Sequence, residues 1–125
     1  MSGTSLGGEQ IVVKEKSFKL AASEIRQLVP KMGGCFATDR ITVDGMRVGF
    51  MYREDPDFPE DSGWRFCAGD ESDAYMDDSD NHGIYDVNTI ANYDPEIISL
   101  LESPAGASFV RDPATGRLVA DSGPA

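Results

Sequence analysis

Short runs in which apolar residues occupy every second position limit most strongly what this chain can fold into. Such alternation extends over residues 48–52 and returns over residues 64–68, where it begins with Trp64. Because successive side chains of a strand point to opposite faces, this period is typical of a half-buried strand. The intervening residues 54–63 are rich in proline and acidic residues, so we predict two neighbouring antiparallel strands with Trp64 in the core.

Turn sequences and further extended segments complete the predicted sheet. The pair Asp44-Gly45 favours a type I′ turn, which predicts a hairpin over residues 41–48. Residues 112–116 are a second good turn sequence, which predicts a terminal hairpin. The other extended segments are predicted at residues 10–20, 35–38, 84–87, 108–111 and 117–119.

Capping residues predict two helices. Ser23 suits the N-cap of a short helix that must end before Pro30, and Asp94 followed by Pro95 suits the start of a second one. A further helical turn is predicted at residues 73–77. Together these elements predict an α+β fold, in which a mainly antiparallel sheet has two main helices packed on one face.

The length of 125 residues fits a single domain, which we expect to span residues 10–120. A hydrophobic fraction of 40% is sufficient to bury a core. Residues 1–9 are expected to form a disordered N-terminal segment and residues 121–125 a frayed tail. The chain has neither an apolar run of about 18 to 20 residues, as a membrane span needs, nor the pattern of a signal peptide, so we expect a cytoplasmic protein.

The two cysteines do not have the pattern of a disulfide framework. Cys35 and Cys67 can form at most one disulfide, and each lies inside an apolar, strand-like run. We therefore expect both to be buried free thiols.

Negative charge is concentrated in the middle of the chain. The whole sequence has a net charge of −11, and residues 51–80 alone carry eleven acidic and two basic residues, a net −9. A surface of this sign repels phosphate backbones, so we expect neither nucleic acid nor membrane as a partner. It attracts a cationic protein and accelerates encounter with it.

Candidate catalytic and metal-binding residues are few. The run Asp78–Gly83 resembles the front of a calcium loop, but its fifth position is His82 and its twelfth is Thr89 instead of a bidentate Glu. His82 is the only imidazole, so any dyad or triad must use it, and no nucleophile-elbow or phosphate-loop motif occurs. We predict no catalytic residue, no metal site and no cofactor. A hydrolase or metal-dependent enzyme using His82 and the Asp77–Asp80 cluster is kept as the less favoured alternative.

Two kinds of residue within the acidic segment favour a partner-binding site. Tyr75 and Met76 belong to the residue types enriched at interface hot spots, and acidic residues surround them. We predict that the partner-binding residues are Asp70, Glu71, Asp73, Tyr75, Met76, Asp77 and Asp78. The competing interpretation is an acidic surface that serves only solubility.

A series of short motifs in the centre of the chain resembles a known family. The motifs are Gly63-Trp64-Arg65-Phe66, Gly69-Asp70-Glu71, Tyr75-Met76-Asp77-Asp78, Gly83-Ile84-Tyr85-Asp86, Asn88-Thr89-Ile90 and Tyr93-Asp94-Pro95. Their order over roughly residues 33–112 is similar to that in the bacterial immunity protein 33-like family, long catalogued as a domain of unknown function.

The resemblance implies a small protein that binds and neutralises a cognate toxin, for example a basic toxin domain, and it supplies no catalytic residue. We therefore predict a non-enzymatic partner-binding domain. A stand-alone regulatory module with another partner is the alternative that the resemblance leaves open.

Overall fold

A computed structural model describes residues 16–121 of the chain. Within them, six strands form one sheet in the order β4-β1-β3-β2-β5-β6. The strands are β1 (Gly34–Thr38), β2 (Phe50–Arg53), β3 (Asp61–Cys67), β4 (His82–Asp86), β5 (Ser108–Arg111) and β6 (Leu118–Ala120). The central pair β1–β3 is parallel and all other neighbours are antiparallel, which confirms the predicted mainly antiparallel α+β fold.

Short helices connect and cover the strands. The α-helices are α1 (Asp39–Thr42), α2 (Asp73–Asp77) and α3 (Val87–Tyr93), and 3₁₀ turns occupy Ala22–Glu24, Ser79–Asn81 and Pro95–Leu100. No helix within residues 16–121 has the length and apolar character required to cross a membrane.

The core lies on one face of the sheet. Strand residues that point to this face, among them Met51, Trp64 and Phe66, are fully or almost fully buried. They pack against Ile90 of α3 and Ile97 of the following 3₁₀ helix. Burial of Trp64 confirms its predicted core position, and its indole N–H donates to the carbonyl of Leu101 at 3.1 Å. We refer to this side as the covered face.

The predicted hairpin over residues 41–48 is wrong. Strand β1 leads directly into α1, and the backbone N–H groups of Val43 and Asp44 donate to the carbonyl of Asp39 at 2.8 and 3.0 Å. Helical geometry places Ile41 in the core, where it is fully buried. Gly45 has a φ of +78°, so the positive-φ residue that suggested a hairpin turn instead ends a helix.

The predicted helix between Ser23 and Pro30 is also wrong, since only Ala22–Glu24 forms a 3₁₀ turn. The backbone beyond it finds its partners on α3 instead of within a helix. The Asn88 side chain accepts from the N–H groups of Leu28 and Val29 at 2.7 and 3.1 Å. Asn92, one turn further along α3, accepts from the N–H of Arg26 at 3.0 Å.

Several local predictions are confirmed, with one change of helix type. Strand β4 covers most of the extended segment predicted at 84–87, and α2 is the helical turn predicted at 73–77. Asp94 accepts from the N–H of Glu96, as expected of an N-cap, although the helix is of the 3₁₀ type. Strands β5 and β6 form the predicted terminal hairpin.

Some predictions lie outside the described residues. They concern residues 1–9, residues 122–125 and the part of the predicted extended segment at residues 10–15.

Candidate binding face

The sheet face opposite the core has no complete cover among the described residues, and we call it the open face. Strand register places two rows of side chains across it. The first row is Ile84, Phe36, Arg65, Tyr52 and Ser108, and the second contains His82 and Thr38 on one side and Cys67, Phe50, Val110 and Val119 on the other. Ile84 is 63% exposed, Val119 41% and Val110 37%. An apolar surface of this kind typically marks a binding site.

Two adjoining hollows lie on the open face. The larger measures about 970 Å³ and the smaller about 420 Å³. Tyr52, Cys67 and Met76 line both of them. The larger is otherwise bordered mainly by Met46, Phe50, Ala68, Asp70, Val110 and Pro113, and the smaller by Phe36, Glu54, Arg65, Asp77 and His82. Both hollows have mostly apolar walls, and both adjoin charged groups, which at the larger hollow include Arg47, Glu71 and Arg111.

Arg65 is the buried charge at the centre of the open face. Its guanidinium donates to both carboxylate oxygens of Asp61 at 3.0 and 2.8 Å and to Oε2 of Glu54 at 2.7 Å. Oδ2 of Asp57 lies 3.6 Å away, and the ring of Phe36 stacks beneath at 4.3 Å from the centroid. One cation thus faces three carboxylates, which leaves an excess of negative charge at this end of the face.

The Arg65–Asp61 pair perturbs both groups. The hydrogen bond from Arg65 holds the pKa of Asp61 well below its ordinary value of 3.8, and the same bond raises the pKa of the Arg65 guanidinium. Asp61 also accepts from the backbone N–H groups of Asp57 and Gly63 at 2.9 and 2.8 Å. The pair is therefore geometrically satisfied, as a buried ion pair must be if it is not to destabilise the fold.

Gly63 brings the loop before β3 close to this pair. Its φ is +89°, and a side chain there would collide with the carbonyl of Glu54. Because residue 63 is a glycine, the two backbones come close enough for the N–H of Glu54 to donate to the carbonyl of Gly63 at 2.9 Å. This close approach keeps the Glu54 carboxylate beside Arg65.

The predicted partner-binding carboxylates occupy different environments. Asp70 forms an exposed ion pair with Arg40 at 2.6 Å. Glu71 accepts from the Thr38 hydroxyl and from the N–H groups of Ala68 and Gly69. Burial raises the pKa of Glu71, but these hydrogen bonds outweigh it and the net shift is downward. Glu71 thus holds a turn at the rim of the larger hollow, while Asp70 lies at the same rim.

The remaining predicted residues lie on and beside α2. Asp73, Asp77 and Asp78 are exposed, and Asp77 borders the smaller hollow. Met76 is half-buried and lines both hollows. Tyr75 is half-buried too and lines neither hollow, and desolvation together with the carboxylates of Asp39 in α1 and of Asp44 just after it raises its pKa, so it lies on the α1 side. The helix therefore separates these two neighbours, since only Met76 reaches the open face.

Of the residues of the enzymatic alternative, Asp77 and His82 both border the smaller hollow, whereas Asp78 and Asp80 do not line it. His82 makes a hydrogen bond of 2.9 Å through Nε2 with the carbonyl of Met76, and Asp78 accepts from the N–H of Asp80 at 3.0 Å. Across residues 16–121, no three His, Cys, Asp or Glu side chains are grouped so that they would hold a metal ion.

The two cysteines are buried and free, as predicted. Cys35 belongs to the core of the covered face, whereas Cys67 forms part of the floor between the two hollows. Burial raises the pKa of Cys67 to about 12 and raises that of Cys35 further. Neither thiol is a nucleophile at neutral pH.

Sequence reasoning missed the open face. The sequence predicts strands at Phe36, Phe50 and Val110 but no site there, and it predicts no role for Arg65. The available signal was the apolar character of both sides of these strands, since Cys35-Phe36-Ala37 has no polar position. A strand with two apolar sides has a second face that can be covered by something else.

Comparison with known proteins gives one match. The family model described as the immunity protein Imm33 domain matches residues 35–120, a range that holds all six strands except for Gly34 and also holds both hollows. No curated protein and no solved structure is significantly similar to the chain.

Proposed function

The chain belongs to the immunity protein Imm33 family, whose model matches 35–120 of its 125 residues, and we propose that it binds and neutralises a cognate bacterial toxin. In this proposal it acts in the cytoplasm of the cell that makes the toxin. The protein acts by contact, without catalysing a reaction. The observation that carries the proposal is the open face, an apolar surface bordered by carboxylates.

The chemistry of the open face favours a protein partner. Its exposed valines and isoleucine offer area that a partner can remove from water, and Tyr52 and Met76 are residue types enriched at interfaces. A shallow, broad surface suits a protein better than a small substrate, which needs an enclosed pocket with convergent polar groups.

The acidic residues of the segment 51–80 give this surface a negative charge. We propose that Asp70, Asp73, Asp77 and Asp78 form an acidic rim that steers a basic toxin domain toward the open face. Met76 then supplies contact area beside that rim, and Tyr75, which faces α1, supplies less. Glu71 contributes by holding the turn in which Asp70 lies, because its own carboxylate oxygens already accept hydrogen bonds.

The test begins by expressing the reading frame next to the gene for this chain, which the proposal expects to encode the cognate toxin domain. Cells that express this domain should stop growing, and co-expression of the present chain should restore growth. A catalytically inactive form of the toxin should form a stoichiometric complex with the purified chain in size-exclusion chromatography. An immunity protein of another family, expressed at the same level, is the control and should not rescue growth.

Failure of both rescue and complex formation with an active, folded toxin would contradict the proposed function. Rescue without a complex would contradict neutralisation by contact and would reopen the enzymatic alternative.

A further inference from the structure

The larger hollow presents apolar side chains to solvent without a partner from residues 16–121. Val110 and Met46 at its walls are 37% and 42% exposed, and Phe50 and Met76 form further walls. Leaving such area in water is unfavourable, and covering it with an apolar side chain is favourable. The hollow is therefore suited to a large apolar anchor.

The opposite end of the open face carries an excess of negative charge. Asp61 is saturated by Arg65 and by two backbone N–H groups, so its charge is compensated. Glu54 and Asp57 share the same guanidinium, and their side chains are 52% and 70% exposed. Among described residues, no second cation lies within ion-pair distance of either carboxylate. This end is complementary to a cationic group.

Charge also argues against a second copy of the chain as the occupant. Each copy has a net charge of −11, and the carboxylates that border the open face would face those of an identical partner. Like charges juxtaposed at an interface oppose association, whereas a basic partner gains attraction over the whole face.

We propose that the open face seats a cationic segment of the toxin, with one large apolar side chain in the larger hollow and an Arg or Lys beside Glu54 and Asp57. This inference rests on the proposed function and names the chemistry that the partner presents. The two ends are tested separately, because each makes a different kind of contact.

The apolar end is tested with Val110→Lys, which introduces a charge where the anchor sits. Leu28→Lys is the matched control, since Leu28 is 41% exposed, lies in the segment held by Asn88 of α3 and lines neither hollow. We expect Val110→Lys to weaken toxin binding by about tenfold or more and Leu28→Lys by less than about threefold. Met46→Lys is the second variant at this end and avoids changing a strand residue.

The acidic end is tested with Asp57→Lys against Asp55→Lys. Both variants change the net charge equally within one exposed loop, but only Asp57 has an ion-pair contact with Arg65. General attraction between the proteins therefore falls by the same amount in both. We expect Asp57→Lys to weaken binding by about tenfold and Asp55→Lys by no more than about threefold. Circular dichroism and thermal midpoints check that all variants remain folded.

A second experiment, a peptide selection, requires no toxin. Random peptides displayed on phage are selected on the full chain and counter-selected on Val110→Lys. We expect enrichment of peptides that place Arg or Lys close to an aromatic or long aliphatic residue. Enrichment of acidic peptides, or of peptides that bind both proteins equally, would overturn the inference.

The outcomes separate the two proposals. Absence of toxin binding by the wild-type chain contradicts the proposed function, whereas tight binding with wild-type affinity in Val110→Lys, Met46→Lys and Asp57→Lys overturns the inference alone. Dimerisation of the free chain that Val110→Lys abolishes would assign the face to a second copy. Binding that tightens by about tenfold when residues 1–15 are deleted would assign it to the chain's own N-terminal segment. Either result overturns the inference.

Discussion

The Nη2 atom of Arg111 lies 2.7 Å from Oδ2 of Asp94, and both side chains are largely buried. The same carboxylate oxygen accepts from the backbone N–H of Val48 at 3.0 Å, while Oδ1 accepts from the N–H of Glu96 at 3.2 Å. Asp94 therefore joins strand β5, the segment that enters β2 and the 3₁₀ helix of Pro95–Leu100. Its role as an N-cap is only one part of this function.

Asp94→Ala should destabilise the protein by more than the loss of a cap. A lost N-cap costs about 1 kcal/mol, whereas removing one partner of a buried ion pair costs about 3–5 kcal/mol. We expect a loss of about 3–5 kcal/mol in the free energy of unfolding, measured in urea. Asp94→Asn, which retains a capping side chain, separates the two contributions. A cost of about 1 kcal/mol for Asp94→Ala would mean that the contact with Arg111 adds nothing to stability.

Asp61→Asn should be strongly destabilising, because it leaves Arg65 in a buried site without its bidentate partner. We expect a loss of about 3–5 kcal/mol in the free energy of unfolding. Arg40→Ala is the comparison, since it breaks an ion pair with Asp70 that solvent reaches, and its midpoint should stay close to that of the wild type. Similar midpoints in the two variants would show that burial of the Arg65 pair carries no energetic weight.

Acid should destabilise the fold through its hydrogen-bonded carboxylates. The pKa of Asp61 is held below its ordinary 3.8 by Arg65, and that of Glu71 is lowered from 4.5 in net. When the pKa of a carboxyl group is lower in the folded chain, the unfolded chain binds more protons as the pH falls. The stability that this group contributes is therefore complete above its unfolded-state pKa and is lost as the pH falls toward its folded-state pKa. We expect a stability that is level above about pH 5 and declines below pH 4.5, with a shallower decline in Asp61→Asn. Urea titrations at successive pH values measure this, and an equal slope in both proteins would contradict it.

The two thiols should be inert in the folded protein. Because burial raises the pKa of both Cys35 and Cys67, neither supplies thiolate at neutral pH. A thiol reagent should label no cysteine in the native chain and both cysteines in denaturant, and reductant should leave the thermal midpoint unchanged. Rapid labelling of the native protein, or an intact mass that indicates a disulfide, would refute this.

Charge reversal and side-chain truncation at α2 should affect binding kinetics differently. Asp77→Lys should mainly slow association with the toxin and flatten its dependence on salt, since exposed charges act at long range and are screened over about 10 Å at 0.1 M salt. Met76→Ala should instead accelerate dissociation, by about 1–3 kcal/mol in binding free energy, because it removes contact area from both hollows. Tyr75→Ala should have the smaller effect, since Tyr75 faces α1.

Surface plasmon resonance against the inactive toxin measures both rates. Glu102→Lys is the control for charge, because this exposed carboxylate follows Leu101 on the covered side. An association rate for Asp77→Lys equal to that of Glu102→Lys would return the acidic segment to a role in solubility.

The strands were predictable from the sequence because their signal is local. Alternation of apolar residues identified β2 and β3, and a turn sequence identified the hairpin of β5 and β6. The errors arose where distant contacts overrode local preference. Asp44-Gly45 has the composition of a hairpin turn, but the core accepts Ile41 from a helix, and the glycine serves the helix end.

Distant contacts also override local preference in the segment before Pro30, which is held by α3. The residues before Pro30 have a helical pattern, yet their backbone N–H groups bond to Asn88 and Asn92, about sixty residues away. Side-chain amides that satisfy a distant backbone leave no periodic signal in either segment. For the candidate site, the sequence predicts the acidic segment, whereas the open face beside it follows only from the register of six strands.

The division of the sheet into a covered and an open face has a consequence for how such a protein can change its partner. Neighbouring residues of one strand, such as Phe50 and Met51 in β2, belong to opposite faces. Substitutions at every second position can therefore alter specificity while the alternate positions continue to hold the fold. Arg65 departs from this separation, since it lies on the open face and is also bound to the buried Asp61. Substitution of exposed residues beside Arg65 on the open face leaves the buried pair intact, whereas substitution of Arg65 itself breaks it.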